Sequence, residues 1–177
     1  SHVYNPLFYQ GTKTYVYELF ETLGGLPDTL YAPLGNGTLV LGMYHALKEL
    51  RSLGLIVSYP RLVAVQAERC APVYRASVAG RLSVDPVRND GTEAEGIAIA
   101  APLRGSQVLA AIRELGGEVA IAPEAGLSPA KKAAAARGFY LETTSAVCLA
   151  AYFDRRARGV DEGRVALPLC GSGLKSA

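Results

Sequence analysis

Short apolar runs alternate with helical stretches along this 177-residue chain, and that alternation predicts an α/β fold: three layers, helix, sheet and helix, around a mainly parallel sheet. Two observations support it. The runs TLYAPL (Thr29 to Leu34), RLVAVQ (Arg61 to Gln66), Glu118 to Ile121 and Arg164 to Leu169 are apolar at nearly successive positions, as strands buried on both faces are. Between them lie segments with apolar residues at helical spacing, the length a parallel crossover needs. Half of the residues are hydrophobic, enough for a core, and neither a repeat nor a linker divides the chain, so residues 1–177 read as one domain.

In chain order, Thr12 to Leu23 places Tyr15, Leu19, Phe20 and Leu23 on one helical face, and Gly24-Gly25 ends it. The strand from Thr29 runs into Gly35-Asn36-Gly37-Thr38. Leu39, Met43, Ala46, Leu47 and Leu50 then recur at helical spacing until Gly54. Cys70 to Ala79 predicts a short helix after Pro72, and the polar stretch Val84 to Gly96, with Glu93 and Glu95 solvated, predicts a loop. Gly105 to Leu115 reads as a helix. Ser128-Pro129 has the chemistry of an N-cap and first position for the helix Ala130 to Arg137, which Gly138 closes. Ser145 to Arg158 is a further helix, and the strand from Arg164 delivers Cys170-Gly171-Ser172-Gly173.

Composition excludes several functions. A net charge of +2 with scattered basic residues does not suggest nucleic acid. No apolar stretch approaches the roughly 20 residues of a membrane helix, and no signal peptide opens the chain, so a cytosolic location is expected. Three cysteines, Cys70, Cys148 and Cys170, read as thiols in a reducing compartment. No metal site is visible. Ser1-His2 resembles a cloning remnant, and His45 reads as an ordinary helix residue.

The strand, glycine turn and helix around Gly35 to Thr38 have the build of an anion site: unpartnered N–H groups at a helix start, glycines that admit a ligand, and a positive dipole end. In an open parallel sheet ligands sit outside the carboxyl ends of the strands. Gly35 to Thr38 and Cys170 to Gly173 both follow strands, so they are expected to converge, with Glu142-Thr143-Thr144-Ser145 as a third contributor or a helix cap. The dinucleotide fingerprint, the nucleotide P-loop and the nucleophile elbow are all absent.

These residues resemble the fold-type II pyridoxal-phosphate enzymes, whose fold is tryptophan synthase β-like, and among them the threonine synthases. Asn5-Pro6, Gly11-Thr12-Lys13-Thr14 and Tyr17-Glu18 resemble NP…G-x-K-T…x-E. Pro33-Leu34-Gly35-Asn36-Gly37 resembles the phosphate-loop P-x-G-N-x. Pro60, Gln66-Ala67 and Ala71-Pro72 follow in order, Glu142 to Ala146 resembles E-P-x-S-A, and Cys170 to Lys175 resembles T-G-H-G-L-K. The resemblance spans nearly the whole chain.

It implies pyridoxal 5'-phosphate as cofactor, with Gly35, Asn36, Gly37, Thr38 and the Leu39 N–H around its phosphate and Cys170 toward its pyridine nitrogen. Threonine synthases usually carry Thr there, so Cys170 is a departure. Lys13, Glu142 and Ser145 are implied as substrate or supporting residues. None of Lys13, Lys48, Lys131, Lys132 and Lys175 stands in the family's S-F-K-D-R-like context. The chain is therefore expected to be the C-terminal part of a longer two-domain, homodimeric enzyme, inactive alone, whose Schiff-base lysine lies upstream. The intact parent is expected to act on a phosphorylated amino acid, turning O-phosphohomoserine and water into threonine and phosphate. A related dehydratase or cysteate-synthase-like enzyme is the alternative within the fold. A non-catalytic binding domain for a phosphorylated metabolite is the alternative outside it.

Overall fold

A computed structural model describes residues 2–176; Ser1 and the side chain of Lys175, both named above, lie outside the described residues. Four parallel strands form one sheet in the order β3-β2-β1-β4: β1 Thr29–Pro33, β2 Arg61–Ala67, β3 Glu118–Ala122 and β4 Val165–Ala166. The three-layer α/β expectation holds. Each strand buries alternate residues into two cores. Leu30, Ala32, Leu62 and Ala64 face one layer, built from α1 Phe8–Thr12, α2 Thr14–Leu23, α3 Thr38–Ser52, α4 Pro72–Val78 and α5 Gly105–Glu114. Tyr31, Val63, Val65 and Ala120 face the other, built from α6 Glu124–Ala135 and α7 Thr143–Ala157.

Several boundaries differ from the sequence expectation. The helix predicted from Thr12 begins at Thr14, behind a separate short helix, Phe8–Thr12, that was not expected, and the two meet at Lys13. There Thr12 Oγ1 donates to the Tyr9 and Thr38 carbonyls (both 3.2 Å) and Thr14 Oγ1 to Gly11 O (2.9 Å), side-chain bonds that compete with the helical ladder. Ser128-Pro129 does not start a helix: α6 begins at Glu124 and Pro129 lies inside it. Pro123 provides the extended entry (ψ 134°), the Glu124 N–H donates to Glu68 Oε2 at 3.0 Å, and Pro129 forfeits one helical hydrogen bond. β4 spans two residues instead of six, because it is an edge strand and Pro168 has no N–H for a ladder.

At the amino edge of the sheet a buried polar network ties α7 to the strands. Glu162 accepts from the Tyr31 hydroxyl (2.7 Å) and from Arg155 Nε (3.0 Å), while Arg155 forks onto Glu118 at 2.6 and 3.0 Å. The Thr29 hydroxyl donates to the Glu162 carbonyl at 2.8 Å. Burial, with Glu162 beside it, pushes the Tyr31 phenol up, so it stays a donor.

Among the described residues no helix is long and apolar enough to cross a membrane, and no group of three acidic, His or Cys side chains could hold a metal ion.

Candidate functional site

Chain direction changes side at one place in the sheet. β1 to β2 to β3 steps outward in one direction, and β4 then returns to the far side of β1. The crevice outside the carboxyl ends of β1 and β4 is thus the switch point, where ligands bind in open α/β sheets. Gly35–Gly37 leave β1 there, and the segment through Cys170 and Gly171 continues from β4.

The glycine turn is built for a close visitor. Gly37 is the N-cap of α3 in the left-handed region (φ 89°, ψ 8°) and no side chain caps this helix. The N–H groups of Thr38, Leu39 and Val40 have no acceptor within the helix by its geometry, and the dipole leaves them positive. A Cβ at Gly37 would overlap Val108 Cγ2, and one at Gly35 would stand 3.2 Å from Ile97 Cα and 3.3 Å from Ile99 Cγ1. A cradle of backbone N–H groups that tolerates no side chains fits a phosphate dianion.

The second wall joins the first through α7. Gly96, beside Gly35, donates its N–H to Thr144 Oγ1 at 3.2 Å. One residue on, buried Ser145 accepts the Gly171 N–H at 2.8 Å. The Glu142 N–H donates to Gly171 O at 3.0 Å, Leu141 and Ser172 form an antiparallel bridge, and the Glu142 carboxylate occupies the space a Gly171 Cβ would need. Gly35, Gly96, Thr144, Ser145, Gly171 and Cys170 are thereby linked in one run of contacts, and Glu142 to Ser145 serves both as helix start and as site wall. Cys170 is exposed, whereas Cys148 on α7 is fully buried, and burial, then the nearby Cys170, pushes its thiol well up. Tyr15 of α2 is raised too, by burial first and then by Cys148 and Cys170.

Lys13 sits elsewhere. Its ammonium pairs with Glu49 Oε1 at 2.6 Å, on the turn of α3 farthest from Gly37, and Tyr17 donates to the same carboxylate. Lys13, and then Tyr17, hold the Glu49 carboxyl below its usual range. His45 is an exposed helix residue whose ring lies 5.1 Å from that of Tyr44. Two contributors went unread in the sequence. The turn Glu95–Ile97, inside a polar stretch, lies against Gly35, and Gln66 reaches the Leu34 carbonyl from β2. The sequence signals were a lone Gly96 and, for Gln66, its place in Gln66-Ala67 of the family resemblance, to which no role was attached.

Ser145→Ala is expected to leave the Gly171 N–H without its acceptor and to cost about 1–3 kcal/mol, the range for an orphaned buried donor. Urea midpoints and the exchange rate of the Gly171 amide measure it. An unchanged rate would remove Ser145 from the wall.

Comparison with known proteins gives this geometry relatives. The sequence profile described as pyridoxal-phosphate dependent enzyme matches residues 1–171. A threonine synthase of Methanosarcina acetivorans is 32% identical over 148 residues, covering 82% of this chain and 36% of that protein. A threonine synthase of Mycobacterium bovis is 29% identical over 178 residues, covering 97% and 46%. The chain thus spans less than half the length of these relatives. Among solved structures, a threonine deaminase from T.th. superposes with a TM-score of 0.76 at 26% identity, covering 95% of this chain and 52% of that one. A fungal L-serine ammonia-lyase from Rhizomucor miehei shares the fold, with a TM-score of 0.78 at 20% identity, covering 95% and 53%. With a profile matched from end to end of the sheet, the chain belongs to the pyridoxal-phosphate-dependent enzyme family.

Proposed function

We propose that this chain forms the phosphate-holding and ring-facing part of the cofactor site in an enzyme of threonine synthase type, which converts O-phosphohomoserine and water to threonine and phosphate. The observation that carries the reading is the linking, through Gly96 and the start of α7, of the uncapped glycine turn after β1 to the segment after β4, in a chain whose curated relatives are threonine synthases. Pyridoxal phosphate, when bound, supplies an electron sink for charge developing on the substrate.

The residues divide the work. Gly35, Asn36, Gly37, Thr38 and Leu39 hold the phosphate through backbone N–H groups, and α3 adds its positive end. Cys170 offers the ring nitrogen a thiol, a neutral partner that donates a weak hydrogen bond rather than a full proton. Ser145 and Glu142 hold Gly171 and so fix where Cys170 stands.

Lysine chemistry is the weak half of this site. Lys13 and Lys48 are committed to Glu49 and Glu114. Lys131 donates to Thr143 Oγ1 at 3.1 Å, the described lysine that reaches the start of α7. The chain alone is expected to take up cofactor weakly, without stoichiometric covalent attachment. Borohydride trapping with peptide mapping checks this: one stoichiometrically labelled lysine, Lys131 or Lys13, would show a self-sufficient site.

A second reading, an enzyme of threonine deaminase type, is favoured by the 26% identity and TM-score of 0.76 to that structure. Assay of the gene's full-length product separates the readings. Phosphate release from O-phosphohomoserine supports the synthase, ammonia release from threonine supports the deaminase, and inactivity toward both with retained phosphate binding supports a binding domain.

A further inference from the structure

We infer that Gln66 is the positioning residue of the phosphate cradle: by holding the Leu34 carbonyl it sets the direction of the Gly35 N–H. The inference rests on the phosphate reading of the glycine turn and adds the residue that shapes it.

Gln66 is fully buried near the carboxyl end of β2, and both ends of its amide are engaged. Oε1 accepts the N–H groups of Val73 and Tyr74 at 2.9 and 3.0 Å, and Nε2 donates to Leu34 O at 3.4 Å. Two incoming N–H groups can only meet the oxygen, so the amide has one possible orientation and its NH2 must face Leu34. The pair at Val73 and Tyr74 opens α4, a helix with no side-chain cap of its own. Gln66 therefore caps a helix with one end and grips the cradle with the other.

The grip has a geometric consequence. Leu34 N–H donates to Val65 O at 2.8 Å, the last ladder bond before the glycine turn. Beyond it the Leu34 carbonyl has passed the end of the strand and is held by Gln66. The chain contains no cis peptide among the described residues, and in a trans peptide the C=O and the following N–H point to opposite sides. A Leu34 carbonyl turned toward Gln66 thus turns the Gly35 N–H away from β2. Without that tie the Leu34–Gly35 peptide can rotate, and Gly35, lacking Cβ, does little to resist.

Capping and aiming are separable, because a carboxylate can cap but cannot donate. The test is an amide-resolved titration of the folded chain with sulfate, which keeps its charge between about pH 5 and pH 8. Gln66→Met is expected to bind more than about tenfold more weakly at both pH values, the scale of one lost charge-directed hydrogen bond. Gln66→Glu at about pH 8 still accepts from Val73 and Tyr74 but has no proton for Leu34 O, so it is expected to weaken similarly. At about pH 5, with burial raising its pKa and the carboxyl protonated, it is expected to recover to within about threefold of wild type. Thr29→Val removes a buried hydrogen bond at the amino edge and is expected to bind as wild type, which shows that lost stability alone does not loosen the cradle.

Wild-type affinity in Gln66→Met, or equal weakening in Thr29→Val, would overturn the inference. Should wild type itself take up no sulfate, the phosphate reading falls, and the Gly35 amide resonance of the ligand-free protein decides the rest. Displacement in both Gln66 variants but not in Thr29→Val supports the aiming role, and no displacement refutes it.

Discussion

Gly37→Ala is expected to weaken phosphate binding more than tenfold and to destabilise the fold by roughly 2–5 kcal/mol, the sum of a left-handed backbone strain and an overpacked contact. Both terms arise at one residue. Its φ of 89° lies where side chains are strained, and the added methyl would meet Val108 Cγ2 from α5. Moving Gly37 also moves the first N–H groups of α3, so stability and binding fall together. Val108→Ala in the same chain is expected to restore the packing part and leave the backbone part. Thr38→Ser, which keeps the hydroxyl, is expected to change little. Urea unfolding and phosphate titration of the four proteins measure this, and a Gly37→Ala variant with wild-type affinity would remove the turn from the site.

Arg155→Met is expected to cost about 3–5 kcal/mol, the range for breaking one partner out of a buried ion pair. It leaves the Glu162 carboxylate, with its side chain almost wholly buried, holding only the Tyr31 hydroxyl. Urea midpoints of the variant and wild type measure the loss, and an unchanged midpoint would show that Arg155 does not hold the Glu162 carboxylate in place. Since this network lies at the amino edge, the folded fraction of Arg155→Met is expected to bind phosphate normally.

The fold was readable wherever burial forces composition. Strands covered on both faces must be apolar throughout, so TLYAP, RLVAVQA and EVAIA announce themselves. The glycine turn was readable because a positive φ and a crowded Cβ position leave few alternatives. What stayed hidden depends on partners distant in sequence. The start of α6 is set by Glu68 across the sheet edge, which no local pattern around Ser128-Pro129 reveals. The break at Lys13 is set by Thr12 reaching Thr38. The turn Glu95–Ile97 reads as solvated because Glu93 and Glu95 are exposed, while Thr92, Ala94 and Ile97 beneath them are buried. Lys13, read within a family motif, closes an ion pair on the helix layer, away from the cradle.

The crevice between β1 and β4 also sets when the site can exist. The contact that seats Thr29 against Glu162 spans 133 residues, and β4 is held to β1 by two register pairs. Closing so long a loop is slow, and its entropy must be met before the pairing returns anything. During synthesis β1, its glycine turn and α3 emerge long before the segment bearing Cys170, so a growing chain holds half a cradle and an uncovered edge on β1. That interval is when strand β1, apolar at both faces, is most open to mispairing. Assembly of the sheet and assembly of the crevice at its switch point are therefore one late event, and ligand captured there would lock the final strand in place.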